Sequence, residues 1–463
     1  MKLFSKDSKF YKDVFVLAIP IACQSLISIG VNMLDTIMVG SLGETALSAT
    51  SLANSFITIY HIFCMGLGMG ASVLVSRYWG MKSANDVDAK QADVALKQTV
   101  CLMLRLTLTL ALLFAAATFF MPETLMKMYT DDARIIKLGG IYFDYSVPTY
   151  FFLGVSLTTT IVLRSVGQVR LPLFCSIAAF FVNFGANYIL IFGKFGAPRM
   201  EVAGAALGTL IARVFEATII LGYLLLKDKR IYFRIKDLFM STGSLIKEYF
   251  RICIPVLISD GILAIGNNSV AMVIGRLGAA FAAAYSITNV TQQLSTVLVQ
   301  GVSQAGAIVT GRTLGEGNKD KTVKQGWMFL GLGLALGTIS ALLIVVIKNP
   351  VIATYTNVSE ETTNIAHQLM NAISLILIFQ ATNSIMTKGV LRGGGDTKML
   401  MVADNVFLWV LSIPAGIIAG FYLHLSAFWI YVFLKSDQIA KTIWCVIRLK
   451  SGKWIKKIST GTK

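Results

Sequence analysis

Residues 19–43 read IPIACQSLISIGVNMLDTIMVGSLG, an apolar run with one carboxylate, Asp35, set inside it. Hydrocarbon penalises a lone charge by a few kcal/mol even on lenient insertion scales, so a span that keeps one needs a reason. The pattern returns at 254–278, IPVLISDGILAIGNNSVAMVIGRLG, where Pro255, Gly275 and Gly278 answer Pro20, Gly40 and Gly43 at a constant offset of 235 (255 − 20). Two copies of one membrane module follow from this.

The rest of the chain has the composition of such modules. Of its 463 residues 55% are hydrophobic and only 14% charged, outside the range of soluble globular domains. The net charge of +17 does not point to nucleic acid, because Lys and Arg sit in short clusters between apolar runs and form no continuous stripe. Six cysteines are scattered singly without a CxxC pair, and His61, His367 and His424 lie far apart, so neither a disulfide framework nor a zinc site is expected. The basic start MKLFSKDSKFYKDVF precedes an apolar run too long for a signal core, which predicts a retained first span.

A span needs about 20 mostly apolar residues. Twelve are predicted, at 14–39, 46–76, 94–120, 135–163, 171–193 and 202–226, then 247–275, 280–311, 323–347, 361–391, 399–422 and 425–447. The fold class is therefore an all-α polytopic membrane protein of twelve transmembrane helices in two pseudo-symmetric six-helix lobes. The lobes are expected at 1–226 and 252–450, with a cytoplasmic connector at 227–251 and a basic tail at 451–463. The connector reads as an amphipathic helix on the membrane surface or as a solvated linker. With both termini in the cytoplasm, about 31 of the 41 Lys and Arg fall inside, which is the asymmetry cytoplasmic loops carry. A cytoplasmic (plasma) membrane is the expected location.

The repeat extends past the first span. GASVLVSRYWG ending at Gly80 is echoed by AGAIVTGRTLG ending at Gly315, and VLRSVGQVRLP (162–172) by VLRGGGDTKML (390–400), now 228 apart (390 − 162). Six spans per copy is an even number, so both copies share one orientation, the parallel-repeat plan of transporters whose halves work about a common site.

At these motifs, with GMGASVLVSRYWG, NFGANYILIFG and VAGAALGTLIA beside them, the chain resembles the multidrug and toxic compound extrusion (MATE) transporters over nearly all twelve spans. The resemblance implies a V-shaped pair of lobes that expel organic, often cationic, compounds in exchange for inward Na⁺ or H⁺. It implies no cofactor beyond that coupling ion, no enzymatic activity, small-molecule and lipid partners, no nucleic acid, and a functional monomer.

Asp35 matches the acidic first-helix residue that the family uses for coupling. Independently of the resemblance, a carboxylate among apolar neighbours can accept a proton from one side and release it to the other, or bind Na⁺ when ionised. Asn183 matches a family asparagine, while Asn187 stands where many relatives have aspartate. Four apart, the two share one helical face and can offer carbonyl oxygens to Na⁺ or hold a protonated Asp35. Asp260 lies about thirteen residues into the seventh span, roughly 20 Å of rise from its end, and completes the coupling candidates. Its repeat partner is Ser25 and that of Asp35 is Val270, so the copies are chemically unequal. Gln24, Gln380, Asn383 and Asp404 are the polar candidates for a substrate cavity, and Asp404 and Asp144 can instead form ion pairs with Lys435 or an arginine. No metal other than Na⁺ at Asp35, Asn183 and Asn187 is expected.

No GxxxxGK[ST] loop is present, so an ion gradient is the expected energy source. The alternative function is a flippase for lipid-linked saccharide precursors, which would line its cavity with Arg and Lys. Arg105 and Arg213 are isolated in this sequence, and the visible cavity candidates are acidic.

Overall fold

The computed structural model describes residues 7–84, 89–354 and 359–457; the first six residues and the end of the expected basic tail, 458–463, lie outside them. The six long helices of the first half are α1 (Ser8–Gly40), α2 (Glu44–Ser83), α3 (Ala89–Phe120), α4 (Ala133–Ser146 and Thr149–Ser165), α5 (Arg170–Phe192) and α6 (Glu201–Gly222), with one short helix, Pro122–Lys127, between α3 and α4. The second six are α7 (Gly243–Arg276), α8 (Ala279–Ser295 and Val297–Gly315), α9 (Lys319–Ala353), α10 (Glu360–Ser384), α11 (Thr397–Tyr422) and α12 (Ala427–Leu434 and Ser436–Ser451). Each coincides with a predicted span.

Among the described residues nine helices are individually long and apolar enough to cross a membrane, and α4 makes a tenth as a pair bent by 59°. The bend follows from Pro148, whose ring and missing N–H break the helical ladder. Single residues, Thr296 and Lys435, interrupt α8 and α12. Hydropathy over a window cannot register these breaks, so the sequence predicts unbroken spans there.

The chain forms two compact units. One is residues 23–253; the other joins the chain up to Ala22 to Ile254 and beyond. In the first unit Met38, Ala46, Phe143, Ile191 and Val202 form one core, and Tyr60, Phe114 and Tyr150 stack in another, where the Tyr60 hydroxyl donates to Tyr150 O at 2.6 Å. The start of α7 also belongs here: Tyr249 donates to Leu67 O at 3.0 Å, and Gly70 leaves the space that Cys253 fills. In the second unit the start of α1 is core. Phe10, Val14 and Ala18 pack with Val299, Val302 and Phe329, the two phenyl rings meeting edge-on at 4.9 Å.

The connector after α6 is neither a long helix nor a solvated linker. Its two ends are helical, Tyr223–Lys227 as a π-helical close to α6 and Gly243 onward as the start of α7; between them only Ile235–Phe239 is helical, as a short 3-10 segment. Buried Asp228 accepts from Ile231 N and Tyr232 N, and Ile231 and Phe233 are buried against the first unit. Arg105 of α3, isolated in the sequence, donates from Nε and Nη2 to Leu238 O at 3.1 and 2.7 Å and pins the segment down. At the other end of the chain Trp454 is fully buried and Lys456 N donates to Gly394 O, so the tail returns to its own unit in the same way.

Candidate functional site

In the first unit Asp35 and the two asparagines come together. Asn187 Nδ2 donates to Asp35 Oδ1 at 2.7 Å and lies 3.4 Å from Asn183 Oδ1. Asn183 and Asn187 are 5% and 1% exposed, while Asp35 is partly exposed. The asparagines reach this depth because the VAGAALG stretch of α6 is small. Gly204 lies on the backbone of Leu190 and Ile191, and a Cβ on Gly208 would land on Asn187 Oδ1. Small residues four apart let two helices approach until their backbones touch. The same approach leaves Asn187 Oδ1 buried without a hydrogen-bond partner among the described residues. Asp35 forms no ion pair among them.

Gln24 sits in a separate cluster of this unit. Its Oε1 accepts from Arg164 Nη2 and its Nε2 donates to Ser176 Oγ at 3.2 Å. Arg213, isolated in the sequence, pairs with Glu216 at 2.7 Å one turn on. Asp144 is exposed.

In the second unit the expected candidates divide into three groups. Asp260 pairs with Arg392 at 3.0 Å, so the aspartate of the seventh helix already has a cation beside it. Gln380 accepts from Gln292 Nε2 at 2.7 Å, and Gln292 Oε1 accepts from the Tyr431 hydroxyl at 3.0 Å. Asp404 pairs with Lys441 at 3.3 Å and accepts from Ser259 Oγ at 3.1 Å. Lys441 also holds Asp437 at 3.1 Å, and Asn383 reaches the same network by donating to Gln438 Oε1, whose Nε2 donates to Asp437. Lys435, one of the alternative ion-pair partners for Asp404 and Asp144 in the sequence, donates to Asn267 Oδ1 at 3.2 Å.

Two buried residues of this network, Asp437 and Lys441, were not among the sequence candidates. Lys441 lies in the last predicted span but reads there as part of the basic C-terminal end. The available signal was the i,i+4 spacing of an acid and a base inside an apolar run, which places them on one helical face.

The MatE family model matches residues 20–189 and 255–418, one segment in each half. A probable multidrug resistance protein NorM of Thermotoga maritima is 25% identical over 450 residues, covering 96% of this chain and 93% of that protein. The multidrug resistance protein NorM of Burkholderia vietnamiensis is 26% identical over 438 residues, 91% and 89% of the two chains, and an uncharacterized transporter YisQ of Bacillus subtilis is 21% identical over 448, 96% and 95%. Among solved structures, a MATE protein in its bent conformation superposes with a TM-score of 0.84 at 18% identity, and a MOP superfamily transporter from Pyrococcus furiosus with 0.82 at 20%, each covering 96% of both chains. The family match spans both halves, and the fold agrees with it over nearly the whole length: the chain belongs to the MATE family of membrane transporters.

Proposed function

We propose that the protein is a secondary active exporter of organic, often cationic, compounds, driven by inward H⁺ or Na⁺ that binds at Asp35. The observation that carries this reading is the state of that carboxylate. It stands in a membrane helix, its Oδ1 held by Asn187 at 2.7 Å, and among the described residues no Lys or Arg neutralises it at contact distance. A partly buried acid in a membrane helix, without a built-in counter-ion, favours an incoming cation, whether a proton or Na⁺. Asn187 Oδ1, buried and without a partner, and Asn183 Oδ1 supply neutral oxygens at the same place. Na⁺ would use them as ligands; a protonated Asp35 would donate to one of them.

The names of the bacterial relatives, multidrug resistance proteins, support a drug-like cargo. The excess of Lys and Arg in alternate loops supports cytoplasmic termini. Asp260 we assign to the ion pair with Arg392 rather than to coupling, because its charge is already balanced.

The test is ethidium efflux from proteoliposomes under separately imposed Na⁺ and H⁺ gradients. Wild type is expected to respond to one gradient and Asp35→Asn to neither. Efflux by Asp35→Asn at the wild-type rate, still following the gradient, overturns the site.

A further inference from the structure

At one end of the second unit the close of α7, the starts of α8, α10 and α12 and the close of α11 surround a cavity of about 400 Å³. We propose that this cavity holds one anionic phospholipid, with the phosphate between Arg276 and His424 and an acyl chain over the apolar floor. The assignment goes beyond the exporter reading and stands on local geometry.

The floor is made for hydrocarbon. Leu277, Phe281, Ile365 and Ile430 line it, and Phe281 and Ile430 belong to the buried core of the unit. Gly420 sets the shape of the wall: a Cβ there would meet Leu277 Cδ2 at 2.9 Å, so a larger residue would displace that side chain. Hollows of this size, mainly apolar with a few convergent polar groups, are what small ligands occupy.

The mouth carries basic groups and no acid. Arg276 and His424 are exposed, and neither side chain forms an ion pair or hydrogen bond among the described residues. No Asp or Glu lines the cavity; exposed Glu361 lies one turn before Ile365 on α10 but does not reach the lining. A guanidinium presents paired N–H donors that match a phosphate, and an imidazole keeps an N–H in either charge state. Two neutral groups stand with them. The Ser426 hydroxyl caps no backbone N–H, and Gln368 Oε1 accepts from Phe428 N at 3.4 Å, which leaves its amide N–H groups for a ligand. A fixed cation here repels organic cations, so the cavity suits a molecule of the opposite charge to the proposed cargo.

The sequence repeat marks the cation as a feature of one copy. At the offset of 235, Ser41 answers Arg276 (276 − 235), and the Ser41 hydroxyl merely turns back onto Met38 O at 2.6 Å. The backbone is also bent to bring His424 to the mouth. Helix α11 closes in the π-helical segment Ile418–Tyr422, and Leu425 N reaches back to Ala419 O at 3.0 Å. Between them His424 takes a φ of 45°, in the left-handed region that side chains disfavour. Wide helical turns and strained residues are both enriched at functional positions.

The surroundings favour a lipid over a soluble anion. Tyr422 and Trp429, next in sequence to the lining residues Phe421 and Ile430, are 77% and 51% exposed. Exposed Tyr and Trp at helix ends sit at the level of lipid headgroups. Phe421 lines the cavity and is itself exposed, so the apolar lining continues onto the outer surface of the unit. In the topology proposed above this end faces away from the cytoplasm, which assigns the lipid to the outer leaflet.

The experiment uses the full-length protein in phosphatidylcholine vesicles doped with phosphatidylglycerol or phosphatidylcholine carrying the same photoreactive acyl chain. Labelled peptides are mapped by mass spectrometry. Phosphatidylglycerol is expected to label segments 276–281 and 418–430 about ten-fold more than phosphatidylcholine, the preference that one charge-assisted phosphate contact supplies. The preference should disappear in Arg276→Gln combined with His424→Gln, both exposed positions, and persist in Arg276→Lys. Ile365→Trp, which fills the cavity and keeps its charges, should lose the labelling by either lipid. Equal labelling of wild type by the two lipids, or a preference unchanged in the double variant, overturns the proposal. Competition by glycerol phosphate as strong as that by unlabelled phosphatidylglycerol would make this a site for a soluble anion and overturn the lipid assignment. No gradient or cargo is involved, so the outcome is independent of the efflux assay.

Discussion

Arg164 and Arg392 hold the same place in the two VLR motifs, yet one reaches a neutral amide and the other a carboxylate. Arg164 donates to Gln24 on α1; Arg392 pairs with Asp260 on α7, the repeat partner of Ser25, which adjoins Gln24. The difference runs through both halves. In the second, Asp260, Asp396, Asp404 and Asp437 each have a cation within 3.5 Å. In the first, Asp35 is held by an asparagine and has no ion pair among the described residues. The lesson is that an acidic residue in a span is not by itself a coupling group. What matters is whether the fold has already provided its counter-charge.

The largest effect should come from removing the acid without a counter-ion: Asp35→Asn is expected to reduce gradient-driven ethidium efflux to the level of empty liposomes, while leaving the melting temperature near wild type. Breaking a satisfied pair should do the reverse. Arg392→Gln leaves Asp260 largely buried without its cation and should destabilise the protein by about 3 kcal/mol, with much of the loss recovered in Arg392→Gln combined with Asp260→Asn. Thermal unfolding of the three variants in detergent measures both numbers.

Gly208→Ala is a smaller perturbation aimed at the geometry of the first site. Its methyl group would displace Asn187 from Asp35, and overpacking of this kind costs about 1–3 kcal/mol. Efflux should fall several-fold at unchanged expression; unchanged efflux would mean that the Asn187 contact is dispensable. Smallest of all, Gln24→Glu places a carboxylate where Arg164 now meets the Gln24 amide. A stability gain of no more than about 1 kcal/mol is expected in this partly buried setting, with efflux retained. Loss of efflux would show that the neutral partner matters to transport.

Much of this was legible in the sequence because membrane helices are dictated by length and apolarity. All twelve spans could be placed, and the spacing puts Asn183 and Asn187 on one helical face of α5, while their association with the acid of α1, Asp35, was implied by the family resemblance. The partners of charged residues were not legible. Asp260 and Arg392 are 132 positions apart, and nothing local tells an acid in a span whether a guanidinium will reach it. Lys441 was hidden for a different reason: at the end of a hydrophobic run a lysine looks like a cytoplasmic anchor, and only the break at Lys435 places it deep within the helix pair of α12. Composition likewise suggested an amphipathic connector, whereas hydrogen bonds from Asp228 and Arg105 fold it onto the first unit.

The sharing of α1 and α7 between the units has a consequence for the order of synthesis. Domains commonly fold as they emerge, N-terminal first. Here Phe10, Val14 and Ala18 are made long before their core partners, Val299, Val302 and Phe329. The first unit in turn stays open until Tyr249 and Cys253, which open the second half's leading helix, have been inserted. Neither half can therefore finish on its own, and a ribosome stalled at the midpoint of the message would hold a chain with two unfinished seams.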